Sequence, residues 1–116
     1  MLITILKSKL HRATVTDACL DYEGSISIPE KLAELAGLHV YEKVLVANIT
    51  NGNRFETYVI PGEDGKIILN GAAARLGKKD DKIIVMAWAI LDNQELAGFQ
   101  PKIVILDEKN QPKKQK

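Results

Sequence analysis

The chain has 116 residues, 46% of them hydrophobic, and a net charge of +1 from 16 basic and 15 acidic side chains. That length suits one domain and excludes two, and the apolar share excludes a disordered chain. The near-neutral balance gives no broad electrostatic case for nucleic acid or an anionic membrane surface. A core of this size is limited, so association with further copies would add stability.

The one cysteine, Cys19, allows no internal disulfide, which suits a reducing cytoplasm. Its apolar neighbours Ala18 and Leu20 predict a buried structural thiol. The opening run Met1–Leu6 has no basic stretch before it and is interrupted by Lys7, so neither a signal peptide nor a membrane span is expected. Lys113, Lys114 and Lys116 form the single basic cluster, and residues 108–116 are expected to be a flexible tail.

In chain order, Leu2–Leu10 predicts a strand and Ala13–Thr16 a second short one. Ser25-Ile26-Ser27-Ile28 alternates strictly, which predicts a half-buried strand with the two isoleucines on one face and the two serines on the other. Pro29 opens a helix carrying Leu32, Leu35 and Ala36 at helical spacing, and Gly37 suits its C-terminal cap. Lys43–Ile49 and Arg54–Ile60 flank Asn51-Gly52, a hairpin signal whose loop can exceed two residues. A loop over Pro61–Gly65 precedes a short strand at Ile67–Leu69 and one helical turn at Asn70–Arg75. Lys82–Leu91 and Lys102–Asp107 complete the strands, and the spacing suggests a small β-barrel in a single domain.

Familiar catalytic machinery is absent from the sequence. It has no Gly-rich phosphate loop, no metal-spaced Cys/His cluster and no Gly-x-Ser-x-Gly elbow. His11 and His39 are the only histidines. What remains is an ordered set: Lys9-Leu10-His11, Tyr22-Glu23-Gly24-Ser25, Asn53-Arg54-Phe55 with Thr57-Tyr58, and Asn70-Gly71-Ala72-Ala73-Ala74.

This set resembles the pyruvoyl-dependent aspartate 1-decarboxylases over residues 1 to about 107. The resemblance implies a mainly β fold, a small six-stranded double-psi β-barrel with short helices, assembled as a tetramer. It implies cleavage of the Gly24–Ser25 bond by the chain itself, leaving a β chain (1–24) and an α chain (25–116), a heterooctamer in all. Ser25 would become the covalent pyruvoyl cofactor, with no metal and no pyridoxal phosphate. Decarboxylating an amino acid needs an electron sink, and the ketone of a pyruvoyl group supplies one by taking the substrate amine as an imine. Serine qualifies as its source because its hydroxyl can attack the preceding carbonyl and then leave by β-elimination. The glycine before it clears the attack path.

By the same resemblance, Thr57 would donate to the Gly24 carbonyl oxygen during self-cleavage. Arg54 would pair with one substrate carboxylate and Lys9 would add charge for the second. Tyr58 would protonate the carbon that loses CO₂. Thr57, Asn70, Gly71, Ala72 and Ala73 would line the substrate site, with His11 and Tyr22 in support. The implied reaction turns L-aspartate into β-alanine and CO₂ in the cytoplasm, feeding pantothenate and coenzyme A synthesis. No nucleic acid or membrane partner is implied. Arg54 and Tyr58 are four residues apart on one strand and share a face, whereas Thr57 takes the other. A twist, a bulge or a subunit boundary must reconcile them. The short Pro61–Gly65 loop departs from the family pattern and shifts the placement of Asn70.

Ser25–Pro29 with Leu32, Leu35, Gly37-Leu38 and Val44 also resembles the swapped-hairpin barrel of DNA-binding transition-state regulators and antitoxins. The net charge, a length more than twice what that motif needs, and the unexplained Arg54–Tyr58 and Asn70–Ala74 segments count against it. An uncleaved paralogue with the same fold remains a third reading.

Overall fold

The structure, a computed structural model, describes residues 1–113. It is mainly β. The strands are β1 (Leu2–Thr14), β2 (Asp17–Cys19), β3 (Ser25–Pro29), β4 (Lys43–Asn48), β5 (Arg54–Gly62), β6 (Ile68–Asn70), β7 (Lys82–Asp92) and β8 (Lys102–Ile105). Two short helices, α1 (Glu30–Ala36) and α2 (Asn93–Leu96), and a 3₁₀ turn at Gly71–Arg75 interrupt them.

The eight strands form one sheet in the order β2-β6-β3-β5-β4-β7-β1-β8. Yet β1 and β2, six places apart in that order, are joined by Val15 and Thr16 alone. Flat strands six places apart would be separated by roughly 29 Å, while the three Cα steps from Thr14 to Asp17 reach about 11 Å. The sheet therefore curls back towards itself. Val15 sits in the fold of the curl, donating its N–H to Asp81 O (2.9 Å) and accepting from Asp80 N (2.8 Å), and Thr16 N donates to Ile67 O (2.8 Å). The ladders nevertheless stay open, and the count of strands exceeds the six expected from the resemblance.

Alternation places the core inside the curl. On β7, Ile83, Val85 and Ala87 are buried, and they pack with Leu10, Ile26, Ile28, Val44, Val46, Val59 and Leu69. Each such aliphatic side chain contributes on the order of 1.5–3 kcal/mol by leaving water. The opposite face of β7 carries Ile84, Met86, Trp88 and Ile90, with Trp88 45% and Ile90 66% exposed. β5 changes partner along its length: Arg54–Tyr58 pairs with β4, and Val59–Gly62 pairs in parallel with β3.

Several boundaries differ from the sequence reading. The two expected N-terminal strands are one, because the breaks in pairing after Leu6 and Leu10 are absorbed as bulges, with Arg12 at φ 66°. Pro29 is the residue before α1 rather than in its first turn, and Gly37 caps the helix at φ 72°. The Asn51-Gly52 hairpin has five loop residues, tied down by Asn48 Oδ1, which accepts from Thr50 N and Asn51 N. Cys19 is exposed, not buried. It and Asp17 lie on the outer side of a three-residue edge strand, so apolar neighbours along the chain do not enclose it.

The segment expected to trail off from residue 108 folds back as far as Lys113, and residues 114–116 of the basic cluster lie outside the described residues. Asn110 is fully buried at φ 58°. Its Oδ1 accepts from Thr14 N (2.8 Å), and its Nδ2 donates to Thr14 O (2.9 Å) and Gly65 O (3.1 Å). Truncating it strands these partners, so Asn110→Ala is expected to lower stability by roughly 2–3 kcal/mol. Urea unfolding checks this; an unchanged midpoint would contradict the anchoring role.

Candidate active site

Strict alternation in β3 puts Ile26 and Ile28 in the core and turns Ser25 and Ser27 to the other side. That side is covered too: Ser25 is 1% exposed. The cover comes from β6, whose Asn70 stands directly opposite Ser25 in an antiparallel pair. Asn70 is itself buried, and its Nδ2 donates to Ser25 Oγ (3.1 Å) and to Ser27 Oγ (3.0 Å). Ser25 Oγ in turn donates to Glu23 O (3.0 Å). The hydroxyl next to the Gly24 carbonyl is thus held between a donor and an acceptor.

Gly24 is exposed, and a side chain on it would meet nothing within 4 Å. Gly71, the first residue of the 3₁₀ turn, lies against the backbone of Tyr22 and Gly24. Tyr22 shares this loop and is 57% exposed, and of the three alanines that follow Gly71, Ala72 is exposed, Ala73 buried and Ala74 half-buried.

Tyr58 immediately precedes Val59, the register partner of Ile26, so it stands level with Ser25 on the adjacent strand. Its ring tilts at 54° against Tyr41, with centroids 6.0 Å apart. One chain therefore gathers Gly24, Ser25, Tyr58, Asn70 and Gly71.

The remaining predicted residues lie elsewhere. Arg54 is exposed at the start of β5, about 13 Å along the strand from Tyr58. Lys9 and His11 are on β1, four strands from β3 in the sheet order. Register nevertheless unites some of them. Lys9 pairs with Met86, Met86 with Leu45 and Leu45 with Glu56. Glu56 alternates with Arg54 and Tyr58, so Lys9, Arg54 and Tyr58 share the outward face of the sheet. Neither Lys9 nor Arg54 has an ion-pair partner among the described residues. Thr57 opposes the buried Val44 and takes the inner face. Among the described residues it makes no hydrogen bond to Gly24.

Ser27 belongs to this cluster although no motif in the sequence singles it out as a site residue. The signal was available, since a residue two places from Ser25 in a strand shares its face. A cavity of about 570 Å³ opens beside α1, bounded by Ser8, Ile28, Gly37, Leu38 and Val59 among others. It contains none of the predicted site residues, so the Gly24–Ser25 cluster defines the candidate site on chemical grounds. Among the described residues, no three His, Cys, Asp or Glu side chains gather as metal ligands, and no helix is long and apolar enough to cross a membrane.

The cluster is that of a chain in which an exposed glycine precedes a buried serine whose hydroxyl is clamped between Glu23 O and Asn70 Nδ2. The chain belongs to the aspartate decarboxylase family, whose model matches residues 1–113. It is similar to the aspartate 1-decarboxylase of Leptospira biflexa serovar Patoc, with 51% identity over 98% of this chain and 99% of the relative. It is also similar to the aspartate 1-decarboxylases of Campylobacter jejuni (56% identity) and Caldicellulosiruptor saccharolyticus (58% identity), each over 95% of this chain and 88% of the relative.

His11 gives a measurable electrostatic signature. Burial, then the nearby charges of Lys9 and Arg12, hold its imidazole below the ordinary 6.5. The unfolded chain takes up this proton first as pH falls, so the neutral ring's contribution is complete above 6.5 and is lost below it, towards the folded pKa. An NMR titration is expected to place His11 below 6.5, and His11→Asn to flatten the decline in stability over that interval. A His11 titration at or above 6.5 would contradict this.

Proposed function

We propose that this chain is a self-processing decarboxylase that converts L-aspartate to β-alanine and CO₂ in the cytoplasm, supplying pantothenate and coenzyme A synthesis. The observation that carries the reading is the clamped Ser25 Oγ, buried beside a glycine carbonyl and held by Glu23 O and Asn70 Nδ2. Membership of the aspartate decarboxylase family supports it.

In self-cleavage, Ser25 Oγ attacks the Gly24 carbonyl carbon. The new C–O bond replaces the C–N bond, and the hydroxyl proton passes to the freed Ser25 amine. Loss of the Ser25 α-proton then expels the Gly24 carboxylate and leaves a dehydroalanine. Its tautomer takes up one water and releases ammonia, leaving a pyruvoyl group at residue 25. The chain becomes residues 1–24 and 25–116. Asn70 holds the hydroxyl for the first step, and Thr57 supplies a donor for the carbonyl oxygen. The partner change of β5 at Tyr58–Val59 is where a local rotation could bring Thr57 round.

The residues present fit such a group: residue 25 is enclosed, Asn70 can donate to an oxygen there, and Gly71 leaves room at the chain break. The group supplies the electron sink for the pair left behind by CO₂. Arg54 binds one substrate carboxylate through its planar guanidinium, and Lys9 balances the second. Asn70, Ala72 and Ala73 orient the substrate, with His11 and Tyr22 in support. Tyr58 holds at its Oη the proton that replaces CO₂.

Lys9 and Arg54 share an outward face with the exposed Trp88 and Ile90. We assign that face to contacts between copies, which bring these charges to a neighbour's Ser25 in a homotetramer. The curl imposed by the β1–β2 link supports reading the sheet as the six-stranded double-psi barrel with added edge strands.

Release of CO₂ from L-aspartate tests this. Ser25→Ala is expected to remain uncleaved and inactive, whereas Tyr58→Phe should cleave normally and lose about 10²–10⁴-fold in turnover. Normal turnover by Tyr58→Phe would remove it as the proton donor, and an active Ser25→Ala would overturn the reading as a whole.

A further inference from the structure

Gly71 has φ 64°, and a Cβ added there would lie 2.6 Å from both Gly24 Cα and Gly24 N and 2.7 Å from Tyr22 O. These are backbone atoms, which cannot rotate aside as a flexible side chain can. The other side of the same segment is open, since a Cβ on Gly24 would meet nothing within 4 Å. The Tyr22–Gly24 backbone is therefore packed against residue 71 on one side and tied at Glu23 O to Ser25 Oγ, with open space on the side a Gly24 side chain would take. The adjacent Asn70 holds the attacking hydroxyl. One short corner of chain thus contacts both reactants, the hydroxyl through a side chain and the peptide through a bare backbone.

We infer that Gly71 is a positioning residue for self-cleavage: its missing side chain lets the corner after β6 seat the Gly24 carbonyl against Ser25 Oγ. This rests on the self-cleavage proposed above and concerns its first step, in which the Ser25 Oγ–C bond forms, the C–N bond breaks and the proton moves to the new amine. Gly24 N and Cα are joined to the carbon under attack or are one bond removed from it. Displacing them misaligns the step, and a shift of about 1 Å can cost on the order of a hundredfold.

Three variants test the inference in the full chain, with cleavage followed by denaturing gel and folding by cooperative urea unfolding. Gly71→Ala is expected to slow cleavage by at least about tenfold, and hydroxylamine, which cuts esters, should release no fragment split after Gly24. Gly98→Ala is the control, because Gly98 has φ 82° with nothing within 4 Å of an added Cβ. It carries the same backbone penalty without the clash and should cleave like the unaltered chain. The third variant inserts one glycine between Glu23 and Gly24, in a loop exposed from Leu20 to Gly24 and tolerant of lengthening. It moves Tyr22 O one residue further from the Gly24–Ser25 bond and so loosens the seat of this segment against residue 71, and it should also cleave at least about tenfold more slowly. Wild-type rates in either folded Gly71→Ala or the lengthened chain would overturn the inference, as would equal slowing by Gly98→Ala. If Gly71→Ala fails to fold, the lengthened chain decides. An unaltered chain that never cleaves removes the parent reading, and this inference with it.

Discussion

Asn70 gives its side-chain amide to two serine hydroxyls on the neighbouring strand, Ser25 at 3.1 Å and Ser27 at 3.0 Å. A buried polar group without partners is costly, so this bridge makes the pairing of β6 with β3 specific in register. A shift by one residue would turn the serines inward and Ile26 and Ile28 outward. Because the register is held, Gly71 always follows at the level of Gly24. The geometry of the candidate bond thus depends on one amide and on the alternation of four residues. The cluster is also braced from beneath, as Ile26 and Leu69 pair in the same ladder and are fully buried.

The curl of the sheet separates two kinds of surface. Its inner face is filled by aliphatic side chains; its outward face places Lys9, Arg54 and Tyr58 beside Met86 and Leu45. Cations on such a face would suit a ligand with two carboxylates best where a further wall lowers the local dielectric. A single chain leaves Trp88 and Ile90 in water on the same side, so a second copy would both cover the apolar area and bring the charges to a clamped serine.

Much of this was legible in the sequence where the signal is local. Ser25–Ile28 declared its strand and its two faces by period-two alternation, though both faces are buried where a half-buried strand is expected, and Gly37 marked the end of α1. α2 was missed because four residues are too few for helical periodicity, although Asp92 and Glu95 form a capping box that the spacing advertises. β1 was split in two because its bulges obscure the alternation around His11 and Arg12. Cys19 was misplaced because exposure on an edge strand depends on which strands lie beside it, information the flanking residues do not carry. The Asn70–Ser25 bond joins residues 45 positions apart. Resemblance named both residues, but only the fold shows the amide shared with Ser27 and the Gly71 backbone set against Gly24.

The central claim is that the Gly24–Ser25 bond is built to break. Intact mass of the purified protein under denaturing conditions tests it most directly. The account predicts two fragments, residues 1–24 and 25–116, the larger lighter by one ammonia than simple hydrolysis would leave it. A single full-length mass that persists after prolonged warm incubation, in a preparation that still releases CO₂ from L-aspartate, would contradict it.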